Sequence, residues 1–217
     1  MDYNTARKAM VDCQVRPNDV TDHRLLAALE TVPKEQFLPS EQRSQAYIEK
    51  EIAYAPGRIL PTARDFAKLL EVLDIKQNDL VLDVACGTGY STAILARLSE
   101  MVVAVESDEE LVAKAEEILA GIDIGNAAVI SGDVVKGAAK QGPFNVIFIG
   151  GVIEEAPAGL FDQLAENGRV GAFLSENGVT SGVVFIKSAS GVSKTKRFTA
   201  SGKSVLPGFE KAKEFIF

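Results

Sequence analysis

Short apolar runs alternate with helical stretches along the chain from residue 80 onward. Runs of five or six residues separated by such stretches are typical of buried parallel strands joined by crossover helices. The pattern predicts strands at 80–84, 101–106, 127–131, 145–149 and 169–174, and helices at 90–99, 108–120 and 158–166. Repeated β-α alternation of this kind builds a mostly parallel sheet.

The pattern changes after residue 178. Residues 182–188 and 192–199 surround a short turn, with polar alternation in the second segment. They predict a hairpin, and therefore antiparallel strands at one edge of the sheet. The aromatic spacing of Phe209, Phe215 and Phe217 predicts a tail that docks onto the body of the protein.

Residues 1–75 contain five prolines, which divide this segment into short pieces. Proline interrupts helices, so we expect short helices and loops here, without a sheet. The prediction is an N-terminal helical cap at 1–75, packed on an α/β domain at 76–217 in one compact unit. The predicted fold class is α/β, with a doubly wound, mostly parallel sheet.

Composition narrows the classes of function. The chain has 217 residues, of which 47% are hydrophobic and 24% charged, as in an ordinary globular protein. Its formal net charge of -7 disfavours a nucleic-acid partner, because phosphate binding usually needs a basic face. No apolar run approaches the roughly 20 residues that span a bilayer, and the N-terminus lacks the core of a signal peptide. We expect a cytoplasmic protein with no membrane partner.

The cysteines and the histidine offer little chemistry. Cys13 and Cys86 are far apart and form no CxxC pair, so neither a disulfide framework nor a metal site is predicted. His23 is the only histidine and lies in TDHRLLAAL, which predicts a short helix capped by Thr21 or Asp22. A single histidine excludes metal sites that need two.

The segment 80–92, LVLDVACGTGYST, carries the clearest signal for a ligand. An apolar strand ends in Asp83, a turn of small residues with Gly87 and Gly89 follows, and a helix begins after it. Small residues let a ligand approach the backbone, and the helix offers free N–H groups at its N-terminus. The segment predicts a nucleotide-type site.

Two ligand classes compete for this turn. The dinucleotide fingerprint GxGxxG or GxGxxA fails at its third position, where this chain has Thr92. The turn resembles the S-adenosylmethionine loop of class I methyltransferases, an acid followed by GxGxG, with Ala85 in place of the first glycine. The carboxylate of Asp83 would attract the cationic methionine end of that cofactor and repel a pyrophosphate.

Two further strand ends supply candidate cofactor contacts. Glu106 ends the second predicted strand, where an acid can accept hydrogen bonds from both ribose hydroxyls. Asp133 and Val134 follow the third strand, where the adenine ring would lie, and Asp133 could accept from its amino group. The plainer alternatives are a solvated acid for Glu106 and an ordinary turn at 132–133.

With these residues in register, the chain resembles S-adenosylmethionine-dependent methyltransferases, and its first third is similar to the protein-L-isoaspartate O-methyltransferase family. Residues 10–39 carry an MVxxQ opening, TD before a leucine-rich helix and a VPxExFxP close. Ala46 and Tyr47, PFNVI at 143–147, and the segment 150–157 also match.

The resemblance implies a Rossmann-like class I methyltransferase fold and a protein repair reaction. The methyl group of S-adenosylmethionine would pass to the free carboxylate of L-isoaspartyl residues in a damaged protein or peptide. A carboxylate is already ionised at neutral pH, so no general base is needed. Catalysis would then rest on positioning and on the exclusion of water.

One segment departs from the family pattern. The family has a GxTxSxP-type stretch whose serine is thought to help hold the substrate carboxylate, whereas Pro61 stands at that position here. Proline offers neither a hydroxyl nor an N–H group. Thr62 is the nearest hydroxyl for a catalytic role, and Arg58 and Arg64 could bind a carboxylate by charge-assisted hydrogen bonds. The alternative is a helix N-terminus capped by Thr62, with exposed arginines.

Other functions remain open at this point. A methyltransferase of the same fold could act on another carboxylate or a small molecule, as the departure at Pro61 suggests. A non-catalytic relative that binds the cofactor or has lost it is the second alternative, supported by Ala85 and the missing serine. A hydride-transferring dehydrogenase is a more distant third.

Overall fold

A computed structural model describes residues 2–155 and 158–211. The first third of the chain contains helix α1 (Tyr3–Met10), helix α2 (His23–Thr31), strands β1 (Ile52–Ala55) and β2 (Arg58–Leu60), and helix α3 (Ala63–Leu73). A π-helical turn at 11–15 and 3₁₀ turns at 16–18, 34–37 and 40–45 connect these elements. Asp22 caps α2, so His23 is a first-turn helix residue as predicted.

The prediction that residues 1–75 contain no sheet was wrong. Strands β1 and β2 pair antiparallel in a two-stranded sheet of their own. Pro56 and Gly57 form the turn between them, and Gly57 has φ 66°. A Pro-Gly pair marks a turn in sequence, but the strands on either side are too short to show a period. The division of the chain at residue 75 stays a prediction.

The main sheet has seven strands. In chain order it is built from strand β3 (Leu80–Val84), helix α4 (Tyr90–Leu98), strand β4 (Met101–Glu106), helix α5 (Glu109–Gly121), strand β5 (Ala127–Ser131), strand β6 (Phe144–Ile153), helix α6 (Ala158–Asp162), and strands β7 (Leu164–Glu176), β8 (Val179–Ser188) and β9 (Gly191–Thr199). The spatial order is β5-β4-β3-β6-β7-β8-β9. The first five are parallel, and β8 and β9 add the antiparallel edge that was predicted.

Alternating side chains of the strands face two separate apolar clusters. Val81, Val102 and Phe148 join the cluster formed with α2, α3 and α4. Leu82 and Ile147, one position along, join the other cluster with Leu160, Leu206 and Phe209. Burial of both faces is what a parallel sheet requires, and it explains the nearly continuous apolar runs in the sequence.

Three elements in the second half of the chain differ from their predicted bounds. Strands β6 and β7 extend beyond the predicted 145–149 and 169–174, and the helix from residue 158 ends at Asp162 because β7 begins at Leu164.

Of the aromatic residues in the predicted tail, Phe209 is buried, and its carbonyl accepts from the N–H of Glu154. Phe215 and Phe217 lie outside the described residues. No helix in the described ranges is long and apolar enough to cross a bilayer.

Candidate functional site

The carboxyl ends of β3, β4 and β5 lie side by side at one edge of the sheet. Val84 is in register with Val105, and Glu106 with Ser131. The chain leaves β3 in a tight turn whose Ala85 N–H donates to the carbonyl of Val105 at 2.9 Å. Parallel pairing thus brings the turn after β3 close to Glu106, as the sequence predicted.

The turn after β3 needs left-handed backbone at three positions. The φ angles are 60° at Ala85, 57° at Gly87 and 91° at Gly89, and Gly89 is the N-cap of α4. A Cβ at Gly87 would lie 1.7 Å from the hydroxyl oxygen of Tyr54, so the side chain of Tyr54 rests directly on the turn. No pattern in the sequence pointed to Tyr54.

Asp83 is completely buried beneath this turn. Its Oδ2 accepts hydrogen bonds from Ser91 Oγ and Thr92 Oγ1, both at 2.7 Å. Its Oδ1 is also buried but has no hydrogen-bond donor among the described residues. Burial raises the pKa of Asp83 to about 7, although the two hydroxyl groups act in the opposite direction. Ser91, which sequence reasoning did not single out, also lines the neighbouring cavity.

Glu106 is equally buried, but its carboxylate is fully engaged. Arg58 donates to it twice, from Nε to Oε2 at 2.7 Å and from Nη2 to Oε1 at 2.5 Å. The backbone N–H groups of Gly87, Ser107 and Asp108 donate at 2.9, 2.7 and 3.1 Å. Burial alone would raise the pKa of Glu106, but the hydrogen bonds and charge of Arg58, with the backbone donors, hold it below its usual value.

The three residues predicted to contact the substrate, Arg58, Thr62 and Arg64, have different partners in the structure. Arg58 is buried against Glu106. Arg64 points elsewhere and contacts Asp65 at 2.5 Å and Asn18 at 3.2 Å. Thr62 is the N-cap of α3, where its hydroxyl oxygen accepts from the N–H of Asp65 at 3.2 Å. The capping interaction accounts for Thr62 without a role in catalysis.

The two predicted adenine contacts after β5 differ in exposure and in their neighbours. Asp133 is exposed and accepts from the N–H of Val135 at 3.0 Å and from Lys136 at 3.2 Å. The hydrogen bond from Lys136 lowers the pKa of Asp133. Val134 is buried and belongs to an apolar cluster of the sheet. Neither residue lines the cavity described next.

A narrow cavity of about 60 Å³ lies between the β1–β2 hairpin, the turn after β3 and the end of β6. Its wall includes Tyr54, Arg58 and Pro61 from the hairpin side and Gly150 and Gly151 from β6. Sites that bury a drug-sized ligand commonly have volumes of roughly 300 Å³ or more. Tyr54 and Arg58 therefore fill much of the space next to Gly87 and Glu106.

The residue types at this edge of the sheet match the chemical groups of an S-adenosylmethionine-type ligand. The Oδ1 atom of Asp83 suits a cationic group, and Gly87 forms a cradle that any Cβ would fill. Glu106 has the acceptors that ribose hydroxyls need, although Arg58 holds them in this arrangement. Among the described residues, no group of three or more His, Cys, Asp or Glu is arranged to hold a metal ion.

Comparison of sequences connects this chain with one enzyme family. The family model for protein-L-isoaspartate(D-aspartate) O-methyltransferase matches residues 5–200. A protein-L-isoaspartate O-methyltransferase of Koribacter versatilis is 36% identical over 164 residues, which are 76% of this chain and 74% of that protein. A second relative of that name, from an Anaeromyxobacter species, is 34% identical over 166 residues, or 76% of this chain and 68% of the relative.

Solved structures agree at the level of the fold. A protein-L-isoaspartate O-methyltransferase superposes with a TM-score of 0.81 at 21% identity, covering 94% of this chain and 67% of the other. A candidate enzyme of the same name from Plasmodium falciparum, in complex with S-adenosyl-L-homocysteine, gives a TM-score of 0.77 at 20% identity, with coverage of 92% and 97%. The mostly parallel sheet with an antiparallel edge is thus the methyltransferase fold.

Proposed function

The chain belongs to the protein-L-isoaspartate O-methyltransferase family, which carries out S-adenosylmethionine-dependent methylation in protein repair, and we propose that its reaction takes place beside the turn after β3. The observation that carries this location is Asp83. Among the described residues, one oxygen of this fully buried carboxylate has no hydrogen-bond donor, and such a group is costly unless a ligand or a cation interacts with it.

We assign the cofactor contacts as follows. Asp83, held by Ser91 and Thr92, faces the methionine end, and Ala85, Gly87 and Gly89 let that end approach the backbone. Glu106 accepts from the ribose hydroxyls, and Asp133 and Val134 border the adenine. When bound, the cofactor supplies a methyl group on a positively charged sulfur. These assignments rest on the strand-end positions and on the chemistry of each side chain.

The chain's own residues have a modest chemical task. The acceptor carboxylate would take the methyl group through one of its oxygens, and the electron pair of the broken carbon–sulfur bond would stay on sulfur. No proton moves, so a base is not required and the single histidine, His23, needs no role. The enzyme aligns the two reactants and excludes water, for which the apolar walls supplied by Phe66, Phe148 and Phe173 are suited.

A second candidate is a methyltransferase of the same fold that acts on another nucleophile. The observation in its favour is the cavity wall, where Pro61 offers no hydrogen-bond donor and the carboxyl groups of Glu51 and Asp65 repel an anion. An uncharged or cationic acceptor would suit those groups better than a carboxylate. A cytoplasmic location, as expected from the sequence, belongs to either proposal.

The test is methyl transfer from labelled S-adenosylmethionine to an L-isoaspartyl peptide, with the normal aspartyl peptide as substrate control. We expect transfer to the isoaspartyl peptide alone, and loss of most activity in Asp83→Ala. The matched control is Asp123→Ala, since Asp123 lies in the loop after α5, away from the cavity. Cofactor binding without transfer to the isoaspartyl peptide would favour the second candidate.

A further inference from the structure

Arg58 is the only cationic side chain among the described residues that line the cavity. The other charged side chains in the wall are Glu51 and Asp65. Burial, together with the charge of Asp65, raises the pKa of Glu51, so this part of the wall is an unfavourable place for further negative charge. An acceptor carboxylate that enters the cavity thus has one available counter-charge, the guanidinium of Arg58.

Arg58 is already bound, however. Its side chain is 7% exposed and that of Glu106 is 0% exposed, and the two form a bidentate ion pair. Two of the five N–H donors of the guanidinium bind this carboxylate, and two more bind other groups, so little is left for a second carboxylate. Its remaining contacts are the carbonyl of Gly57 at 3.0 Å and the hydroxyl of Ser107 at 3.1 Å.

The same ion pair conflicts with the cofactor contact assigned to Glu106. The two carboxylate oxygens accept from Arg58 and from three backbone N–H groups, which leaves no free acceptor for ribose hydroxyls. Binding of a nucleoside at Glu106 must therefore displace Arg58. Displacement frees the guanidinium at the wall of the cavity where the acceptor is expected.

The hairpin that carries Arg58 is joined to the rest of the protein by side-chain packing, through Ile52 and Leu60, and not by strand pairing. Strands β1 and β2 pair only with each other and are not part of the seven-stranded sheet. A shift of this hairpin therefore breaks no strand pairing of the main sheet. A shift of β2 would also carry Tyr54 of β1 away from the turn at Gly87.

We propose that Arg58 is the substrate-positioning residue of this enzyme: Glu106 holds it until the nucleoside part of the cofactor takes its place, and the released guanidinium then binds the acceptor carboxylate. Arg58 thereby replaces the serine that is missing at Pro61. The inference rests on the proposed function, and it predicts an order of binding in which the cofactor precedes the peptide.

The first experiment measures that order in the wild-type protein. Calorimetry of an L-isoaspartyl peptide is carried out with and without saturating S-adenosyl-L-homocysteine. We expect the peptide to bind at least about tenfold more tightly when the nucleoside is present, which corresponds to ~1.4 kcal/mol. Equal peptide affinity in the two titrations would overturn the proposal.

The second experiment replaces the guanidinium in Arg58→Gln. Because no ion pair has to be broken, cofactor affinity is expected to rise about threefold or more. The KM for the isoaspartyl peptide is expected to rise about tenfold or more, because a charge-assisted hydrogen bond is lost. Arg58→Lys keeps the charge and should recover part of the KM. The matched control is Arg197→Gln on the exposed strand β9, with both constants unchanged.

These outcomes separate the inference from the function on which it rests. Wild-type protein that binds the cofactor but does not methylate the isoaspartyl peptide contradicts the proposed function. Wild-type turnover with an unchanged KM in Arg58→Gln contradicts the role of Arg58 alone. Weaker cofactor binding in Arg58→Gln would also overturn it, since Arg58 would then support the cofactor site instead of competing for it. Should Arg58→Gln fail to fold, the order of binding in the wild-type protein still decides.

Discussion

The ends of β3 and β4 present the same chemical group in two different settings. Asp83 and Glu106 lie on neighbouring strands of one sheet, and both carboxylates are completely inaccessible to solvent. The pKa of Asp83 is raised to about 7, whereas that of Glu106 is lowered. Burial acts in the same direction on both groups, so the difference comes from their partners.

The partners differ in number and charge. Glu106 accepts from a guanidinium and three backbone N–H groups, so its negative charge is balanced within the chain. Asp83 accepts from two neutral hydroxyls, and its Oδ1 has no donor among the described residues. The charge at the end of β4 is thus satisfied without a ligand, whereas the end of β3 has hydrogen-bonding capacity left for one. Cofactor binding is expected to reverse this contrast, because it adds a cation at Asp83 and displaces Arg58 from Glu106.

The largest expected effect comes from breaking the ion pair at β4. Glu106→Gln leaves Arg58 buried beside a neutral amide, which should lower the free energy of unfolding by about 3 kcal/mol. Adding Arg58→Met removes the uncompensated charge and should recover more than half of that loss. Urea unfolding measures both variants.

The control for this pair is Glu176→Gln, which breaks the exposed contact with Lys194. Exposed pairs contribute little, so the change should stay within about 0.5 kcal/mol. If Glu106→Gln were as mild as this control, the end of β4 would not depend on its ion pair, and the contrast between the two strand ends would fail.

A smaller effect should appear at β3 as a dependence on pH. Because the folded protein holds a proton on Asp83 up to a pKa of about 7, above the usual 3.8, it binds more protons than the unfolded chain between those values. Stability must then fall as pH rises through this window and level off above it. Asp83→Asn removes this contribution.

Urea unfolding at pH 5 and pH 8 measures this effect. The stability of Asp83→Asn relative to the wild type should improve by about 1 kcal/mol or more between the two pH values. The matched control is Asp133→Asn, an exposed carboxyl group whose removal should leave the pH dependence in this window unchanged. Parallel curves for Asp83→Asn and the wild type would mean that the carboxyl group is not destabilised by burial.

The contrast between the two strand ends also marks how far the sequence could predict the molecule. The apolar runs placed β3, β4 and β5 at their observed residues. The signal is strongest for β3 and β4, because strands buried on both faces must be largely apolar. Parallel pairing then brought Asp83 and Glu106 to one edge, as expected. The ion pair with Arg58 was not predictable, because it joins positions 48 residues apart through the placement of a short hairpin.

The smallest predicted effect concerns the turn that joins the two strand ends. Ala85 has φ 60°, a backbone conformation that disfavours any residue with a Cβ by roughly 1 kcal/mol. Ala85→Gly should therefore raise the free energy of unfolding by up to about 0.5–1 kcal/mol, after the greater freedom of glycine in the unfolded chain is subtracted. The same exchange at Ala93, inside α4, should lower it by about 1 kcal/mol. Urea unfolding measures both changes. Opposite signs for Ala85→Gly and Ala93→Gly would establish that the backbone of the turn after β3 is strained. Equal losses of stability in the two variants would mean that Ala85 is not strained.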